Sequence, residues 1–415
     1  MFFFYRVLVN IVLLFSPIII LIRLLKKKEH TKRFKEKFGF YTKKKIRGKL
    51  IWFHGASVGE ILSIVPLIEK LENNKKIKQI LVTSNTLSSS SIISNLRLKK
   101  TIHQFFPIDT NYNSKKFLNY WQPSIAFFID SEIWPNMITN IKNKSIPMIL
   151  LNARITDRSY KKWKVFASTA KKIFHKFDLC LSSSIKSQKY LKSLGAKKIK
   201  YIGNLKFSQS IKYKDILNDN LIKFFSTKKI WCASSTHQTE ELLCARAHKK
   251  LKKKYKNLLT IIIPRHVHRN EKIIHDLNKL DLKVHTHSSS TNINNNTDIY
   301  LVDTFGETKS FFKICKIVFL GGSIIKHGGQ NPLEAARYGC KILHGPNVWN
   351  FDEIYILLKK YNVSNKFKNI NQLTNKIEKI IDSKKSFKDI EFKIKKLGNR
   401  ILNSTLNEVN FFINK

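Results

Sequence analysis

Leu50-Ile51-Trp52-Phe53-His54-Gly55-Ala56-Ser57-Val58-Gly59-Glu60 reads as strand, glycine turn and opening helix. Leu50 to Phe53 is an unbroken apolar run of strand length, the pattern of a strand buried on both faces. Gly55 permits a sharp turn. Ile61, Leu62, Ile64, Val65, Ile68 and Leu71 then recur at helical spacing behind Ser57. Such a strand–turn–helix unit in an open α/β sheet puts Glu60 at the carboxyl end of the strand, where ligands bind. The same residues also fit a capping box, with Ser57 as N-cap and Glu60 at the third helical position. Local sequence leaves cap and catalyst both open.

Outward from this stretch, apolar strands alternate with helical patterns on both sides of a polar interval. Strand candidates in the first half are 50–54, 79–83, 103–106, 125–130, 147–151 and 178–182. In the second half they are 230–233, 258–263, 282–285, 299–302, 317–320 and 341–344. The alternation predicts an α/β chain with two doubly wound, Rossmann-like domains facing across a cleft. Lys206 to Lys229 is polar and irregular, suiting an interdomain linker. The expected divisions are 1–25, 26–208, 209–385 and a helical tail, 386–415.

The chain of 415 residues has 77 Lys and Arg against 28 Asp and Glu, a net charge of +49. Such a balance suits a polyanionic partner: nucleic acid, an anionic membrane or phosphorylated substrates. The lysines are spread along the whole length rather than clustered, and neither zinc-finger spacing nor an RNA-recognition aromatic motif is present. We therefore expect no nucleic-acid partner. Cys180, Cys232, Cys244, Cys315 and Cys340 are scattered and lack Cys-x-x-Cys spacing, as in a reduced, cytoplasmic protein without a thiolate metal site. Val7 to Ile22 carries no charge and is followed by Arg23, Lys26, Lys27, Lys28, Lys32 and Arg33. This reads as a membrane anchor that leaves the following chain on the cytoplasmic side, against an anionic membrane surface.

Further motifs sit after predicted strands. Gly321-Gly322-Ser323 leads through Gly328-Gly329 to Asn331-Pro332-Leu333-Glu334, where Asn331 suits an N-cap and Pro332 the first helical position. Glycines before a helix allow backbone N–H groups to approach a phosphate, and Glu334 is placed to accept from ribose hydroxyls. The stretch is neither a Walker A loop nor a dinucleotide Gly-x-Gly-x-x-Gly. Pro264-Arg265 ends a buried strand and suits bidentate phosphate contact. Phe305-Gly306-Glu307 offers a short loop for a base or sugar. Glu132 is a second carboxylate at a strand end, and Lys206 lies where the first unit meets the linker. His237, His266, His268 and His327 have no metal-ligand spacing and read as polar loop residues. Asp-x-Asp is absent, which argues against metal-gripped nucleotide-sugar transfer.

Taken in order, residues 52–60, 131–136, 152–159, 203–207, 264–266, 303–307 and 321–334 resemble the Kdo transferase family, whose members move 3-deoxy-D-manno-octulosonic acid from CMP-Kdo onto the lipid A precursor, lipid IVA. The resemblance implies a two-Rossmann-domain (GT-B) glycosyltransferase with acceptor on the first domain, donor on the second, and no cofactor. It implies Glu60 as general base, and Glu132 and Lys206 as stabilisers of the shifting charge. CMP contacts are implied at Pro264, Arg265, Phe305, Gly306, Glu307, Asn331, Pro332, Leu333 and Glu334. Ser234 and Thr239 stand where the family tends to carry glycine, and Thr308 where leucine is usual. A carboxylate base suits deprotonation of an acceptor hydroxyl, and Arg265 suits a departing nucleoside monophosphate. One direct displacement would invert the anomeric centre. The competing readings are a lipid-directed transferase using a UDP-sugar, and a membrane-anchored nucleic-acid-binding protein.

Overall fold

The computed structural model describes residues 2–96, 98–209, 217–383 and 388–414. The chain forms two compact units, residues 1–210 with 397–415, and residues 211–396.

Unit 1 is built on a parallel sheet of seven strands: β1 (Leu50–His54), β2 (Gln79–Ser84), β3 (Thr101–Phe105), β4 (Ile125–Ile129), β5 (Met148–Ala153), β6 (Leu179–Ser182) and β7 (Ile199–Tyr201). Their order is β3-β2-β1-β4-β5-β6-β7. The apolar run from Leu50 to Phe53 is fully buried because β1 lies mid-sheet with helices over both faces. Trp52 anchors the core, with its ring centroid 4.8 Å from Phe117 and 5.4 Å from Phe128. Each such buried aromatic contributes roughly 1.5–3 kcal/mol. The strand order reverses direction between β1 and β4, so the crevice for a ligand opens at their carboxyl ends.

Unit 2 repeats the plan with β8 (Lys229–Thr236), β9 (Leu258–Pro264), β10 (Val284–Thr286), β11 (Ile299–Leu301), β12 (Ile317–Leu320), β13 (Lys341–His344) and β14 (Ser364–Lys366). The parallel order is β10-β11-β9-β8-β12-β13-β14, with its own reversal between β8 and β12. A separate apolar cluster, including Trp231, Ile262, Phe319 and Phe367, holds it together.

Several expectations need correction. Each sheet carries one more strand than the apolar runs indicate, β7 and β14, which are three-residue edge strands. An edge strand has neighbours on one side only, so Ile199-Lys200-Tyr201 and Ser364-Asn365-Lys366 need no buried apolar run. The interval read as a linker contains a helix, Asp219–Ser226, whose Phe225 packs 5.1 Å from Tyr300. Residues 210–216 of that interval, and the expected boundary at 385/386, lie outside the described residues. The tail is no separate layer: residues 397–415 belong to unit 1. There Gly398 lies so close to Phe207 that an added Cβ would stand 2.4 Å from its carbonyl oxygen.

The helix Phe2–Leu25 is long and apolar enough to cross a membrane by length and composition. One stripe at three-to-four spacing, Tyr5, Val9, Leu13, Ser16 and Ile20, is covered or half covered, while Phe3, Leu8, Leu14, Ile18 and Leu25 are exposed. Tyr5 donates to Asp109 Oδ2 at 2.7 Å and Arg6 Nε to Asn136 Oδ1 at 3.0 Å. Phe2 packs on the unit 1 core.

Candidate active site

Glu60 lies in the first turn of the helix that follows β1. Ser57 caps the helix Val58–Leu71 and the full capping box is present. Glu60 Oε2 accepts from Ala56 N at 2.7 Å and more weakly from Ser57 N at 3.4 Å, and Oε1 accepts from Ser57 Oγ at 2.9 Å. The carboxylate is nonetheless held in a costly place. Burial, then the charges of Glu132 and Asp130, push its pKa up to about 7, against the partial relief of the Ser57 and Ala56 hydrogen bonds. Cap and titratable site are one residue in one conformation. A carboxylate poised near neutrality matches what a general base requires.

Glu132 follows β4, directly across the reversal from Glu60. Trp134 Nε1 donates to its Oε2 at 2.8 Å, which fixes the carboxylate. His54, buried on β1, places Nε2 3.3 Å from the same oxygen, outside hydrogen-bond geometry. The other ring nitrogen of His54 lies 3.0 Å from Thr83 Oγ1, and its ring stacks on Phe106 at 3.8 Å.

Lys206 sits in the short turn Leu205–Ser208, whose entry is closed by Asn204 Oδ1 accepting from Lys206 N at 2.9 Å. Its Nζ reaches Asp130 Oδ2 at 3.0 Å. Asp130 in turn accepts from Asn152 Nδ2, and Asn152 Oδ1 accepts from Leu205 N at 2.8 Å. Asp130 and Asn152 both adopt left-handed backbone, φ 55° and 51°, which these two residue types tolerate better than most. The result is a closed relay from β4 through β5 to the Lys206 turn. Sequence reading missed Asp130, treating it as the last strand residue, and His54, treating it as strand core. A polar residue at the end of an apolar strand was the available signal.

In unit 2, Pro264 is buried at the end of β9 and Arg265 is exposed, its backbone N–H donating to Thr236 O at 3.0 Å. Phe305 is exposed, Gly306 has φ +90°, and Glu307 Oε2 lies 2.6 Å from His287 Nε2 and 2.9 Å from Thr304 Oγ1. The helix at 331–334 begins later than expected, at Leu333, and runs only to Arg337. Asn331 still caps it locally, Oδ1 accepting from Leu333 N at 3.1 Å, while Pro332 occupies the cap position itself. Glu334 stands 3.7 Å from Lys309 Nζ. All three segments follow strands of one sheet at its carboxyl end.

The glycine loop after β12 departs from expectation. Glu240 is fully buried and its carboxylate fills the backbone cradle from within. Oε2 accepts from His237 N at 3.0 Å and Gly322 N at 2.7 Å, and Oε1 from Ser323 N at 3.1 Å and Ile324 N at 3.0 Å. These N–H groups hold a protein carboxylate in the place where a phosphate was expected. Thr239, where glycine was expected, has φ +79°. Among the described residues, no group of three or more His, Cys, Asp or Glu side chains is placed to hold a metal ion.

Residues 32–209 match the family model described as 3-Deoxy-D-manno-octulosonic-acid transferase (kdotransferase). The chain is 33% identical over 372 residues to a 3-deoxy-D-manno-octulosonic acid transferase of Rickettsia bellii, covering 89% of this chain and 88% of that one. To the enzyme of that name from Haemophilus influenzae it is 29% identical over 371 residues, covering 87% and 86%. Among solved structures, a putative UDP-N-acetylglucosamine 2-epimerase from Listeria monocytogenes superposes with TM-score 0.60 at 12% identity, over 88% of this chain and 97% of that one. The UDP-GlcNAc 2-epimerase of Neisseria meningitidis gives TM-score 0.59 at 12% identity, over 86% and 100%. These two likenesses bear on the fold alone, which is of the GT-B type.

Proposed function

This chain belongs to the 3-deoxy-D-manno-octulosonic acid transferase family and is a glycosyltransferase, and we propose that it transfers Kdo from CMP-Kdo to lipid IVA at a membrane. The observation that carries the chemistry is the Glu60 carboxylate at the end of β1, with its pKa pushed up to about 7. In the proposed step, Glu60 takes the proton of the acceptor hydroxyl as that oxygen bonds to the anomeric carbon. The bond from that carbon to the CMP phosphate oxygen breaks, its electron pair leaving with CMP, and the centre inverts. Glu132 and Lys206 stabilise the charge that moves. Asp130 acts through Lys206, with which it pairs at 3.0 Å, and is a positioning residue.

Unit 2 is assigned the donor, through Pro264, Arg265, Phe305 to Glu307 and Asn331 to Glu334. A five-residue helix contributes little dipole, so Arg265 carries the main countercharge to the departing phosphate. The apolar helix Phe2–Leu25 serves as the anchor in the inner membrane. The basic cluster from Arg23 to Arg33 faces anionic headgroups on the cytoplasmic side, and the net charge of +49 favours an acidic sugar and a phosphorylated lipid. Incubation with CMP-Kdo and a tetra-acylated, bisphosphorylated lipid A precursor, followed by mass spectrometry, tests the reading. Kdo on the lipid with release of CMP is expected. Lipid left unmodified, or modified only when a UDP-sugar is supplied, would refute it.

A further inference from the structure

Three histidines from three strands meet at the reversal point of the unit 2 sheet. His237 follows β8, His266 follows β9 and His327 lies in the loop after β12, and β8 is paired to β9 on one side and β12 on the other. The His237 ring lies 4.4 Å from that of His327 and 5.7 Å from that of His266, centroid to centroid. Gly322, with φ +65°, is the floor between them: a Cβ there would stand 3.2 Å from His327 Cδ2 and 3.3 Å from His237 Nε2.

Among the described residues, His237, His266 and His327 form no ion pair with a carboxylate, unlike His54, His248 and His287. His237 is 8% exposed and its Nε2 has no hydrogen-bond partner among the described residues. Ser234 Oγ and Thr236 Oγ1, at the end of the same strand, are buried and unpartnered as well. Buried polar groups are ordinarily satisfied, so this concentration in four residues points to a missing partner. The surrounding charge selects its sign. Arg265 and Arg269 lie near enough to act on His237, along with His327 and His266, and the His268 ring lies 5.6 Å from that of His266, tilted by 40°. The neighbouring carboxylates are already committed: Glu240 to four backbone N–H groups, and Glu241 to Arg269 through bonds of 3.0 and 3.2 Å.

We propose that His237, His266 and His327 form an anion subsite that holds an acidic group of the donor, its phosphate or its sugar carboxylate, at the carboxyl ends of β8, β9 and β12. The subsite rests on the donor reading above and lies beside Arg265. Burial, then the neighbouring His and Arg charges, hold the free His237 imidazole down at about 4. A bound anion opposes those effects, so binding should draw in a proton.

The test uses the full chain and compares wild type with His237→Ala, His327→Ala and His266→Ala. CMP, cytidine and free Kdo are titrated by calorimetry near pH 6 in two buffers of different ionisation enthalpy, and KM is measured for CMP-Kdo. If the phosphate is held, CMP should outbind cytidine with proton uptake. The variants should then lose about tenfold in CMP affinity and that uptake, with cytidine binding unchanged. If the carboxylate is held, CMP binding should survive while KM for CMP-Kdo rises about tenfold and binding of free Kdo is lost. Should His237→Ala fail to fold, the other two variants, on separate loops, still decide the matter. Folded variants that match wild type for every probe would overturn the subsite and leave the donor reading standing. Wild type that binds neither CMP nor Kdo would overturn both.

Discussion

At Glu60 the capping bonds and the elevated pKa share one origin, since Ala56 and Ser57 hold the carboxylate over the end of β1, away from bulk water and near Glu132 and Asp130. Folding raises the Glu60 pKa from 4.5 to about 7, so the folded chain binds that proton more tightly than the unfolded one. The group therefore costs stability increasingly as pH rises from 4.5 to about 7, and the whole cost stands above that range. Glu60→Gln removes this titration. Its melting temperature relative to wild type should improve between about pH 5 and pH 8, followed by calorimetry. Asp130→Asn removes one of the charges that raise Glu60, so the acid limb of the transfer rate should move to lower pH. Of these residues, Glu60 and Glu132 were legible because strand, turn and carboxylate are adjacent in the chain. Asp130 and His54 were not, because their partners Lys206 and Glu132 lie far away in the chain, and the bonds of Asn152 to Asp130 and Leu205 were likewise hidden. The histidine group of unit 2 was unreadable for the same reason, its members being separated by two long connections.

Elements show the same division between local and distant information. Central strands announce themselves as apolar runs because both faces are buried. The edge strands β7 and β14 are exposed on one side and leave only three residues of signal. The helix Lys388–Asn414 was visible as an amphipathic stretch, but its place was not. Residues 397–415 return to unit 1, where Gly398 abuts Phe207 and Ser208, next to Lys206. Gly398→Ala would force that backbone apart. We expect a loss of roughly 1–3 kcal/mol in stability and a fall in turnover greater than the fall in CMP affinity, measured by denaturant melts and kinetics. Thr239 gives the opposite case. A β-branched residue at φ +79° is strained, so Thr239→Gly should stabilise the chain by about 1 kcal/mol in urea unfolding.

The whole molecule combines two sheets, each with its own reversal, and an apolar helix fastened to unit 1. The sequence reading sets residues 1–25 apart from both Rossmann-like domains. The Tyr5–Asp109 and Arg6–Asn136 bonds and the packing of Phe2 show that removal has a cost. Asp109 is buried, its pKa pushed up to about 7 by desolvation against hydrogen bonds that include the one from Tyr5. Deleting residues 2–25 should therefore lower the melting temperature of unit 1, leave CMP binding in unit 2 intact, and abolish transfer to micellar lipid. The central claim is that Glu60 is the base, and the pH dependence of kcat/KM for transfer tests it most directly. Wild type should lose activity below an apparent pKa of about 7. Glu60→Gln should lose roughly 10²–10⁴ in rate, together with that acid limb, while binding CMP as wild type does. A variant that keeps more than about a tenth of the wild-type rate, with the acid limb unchanged, would contradict it.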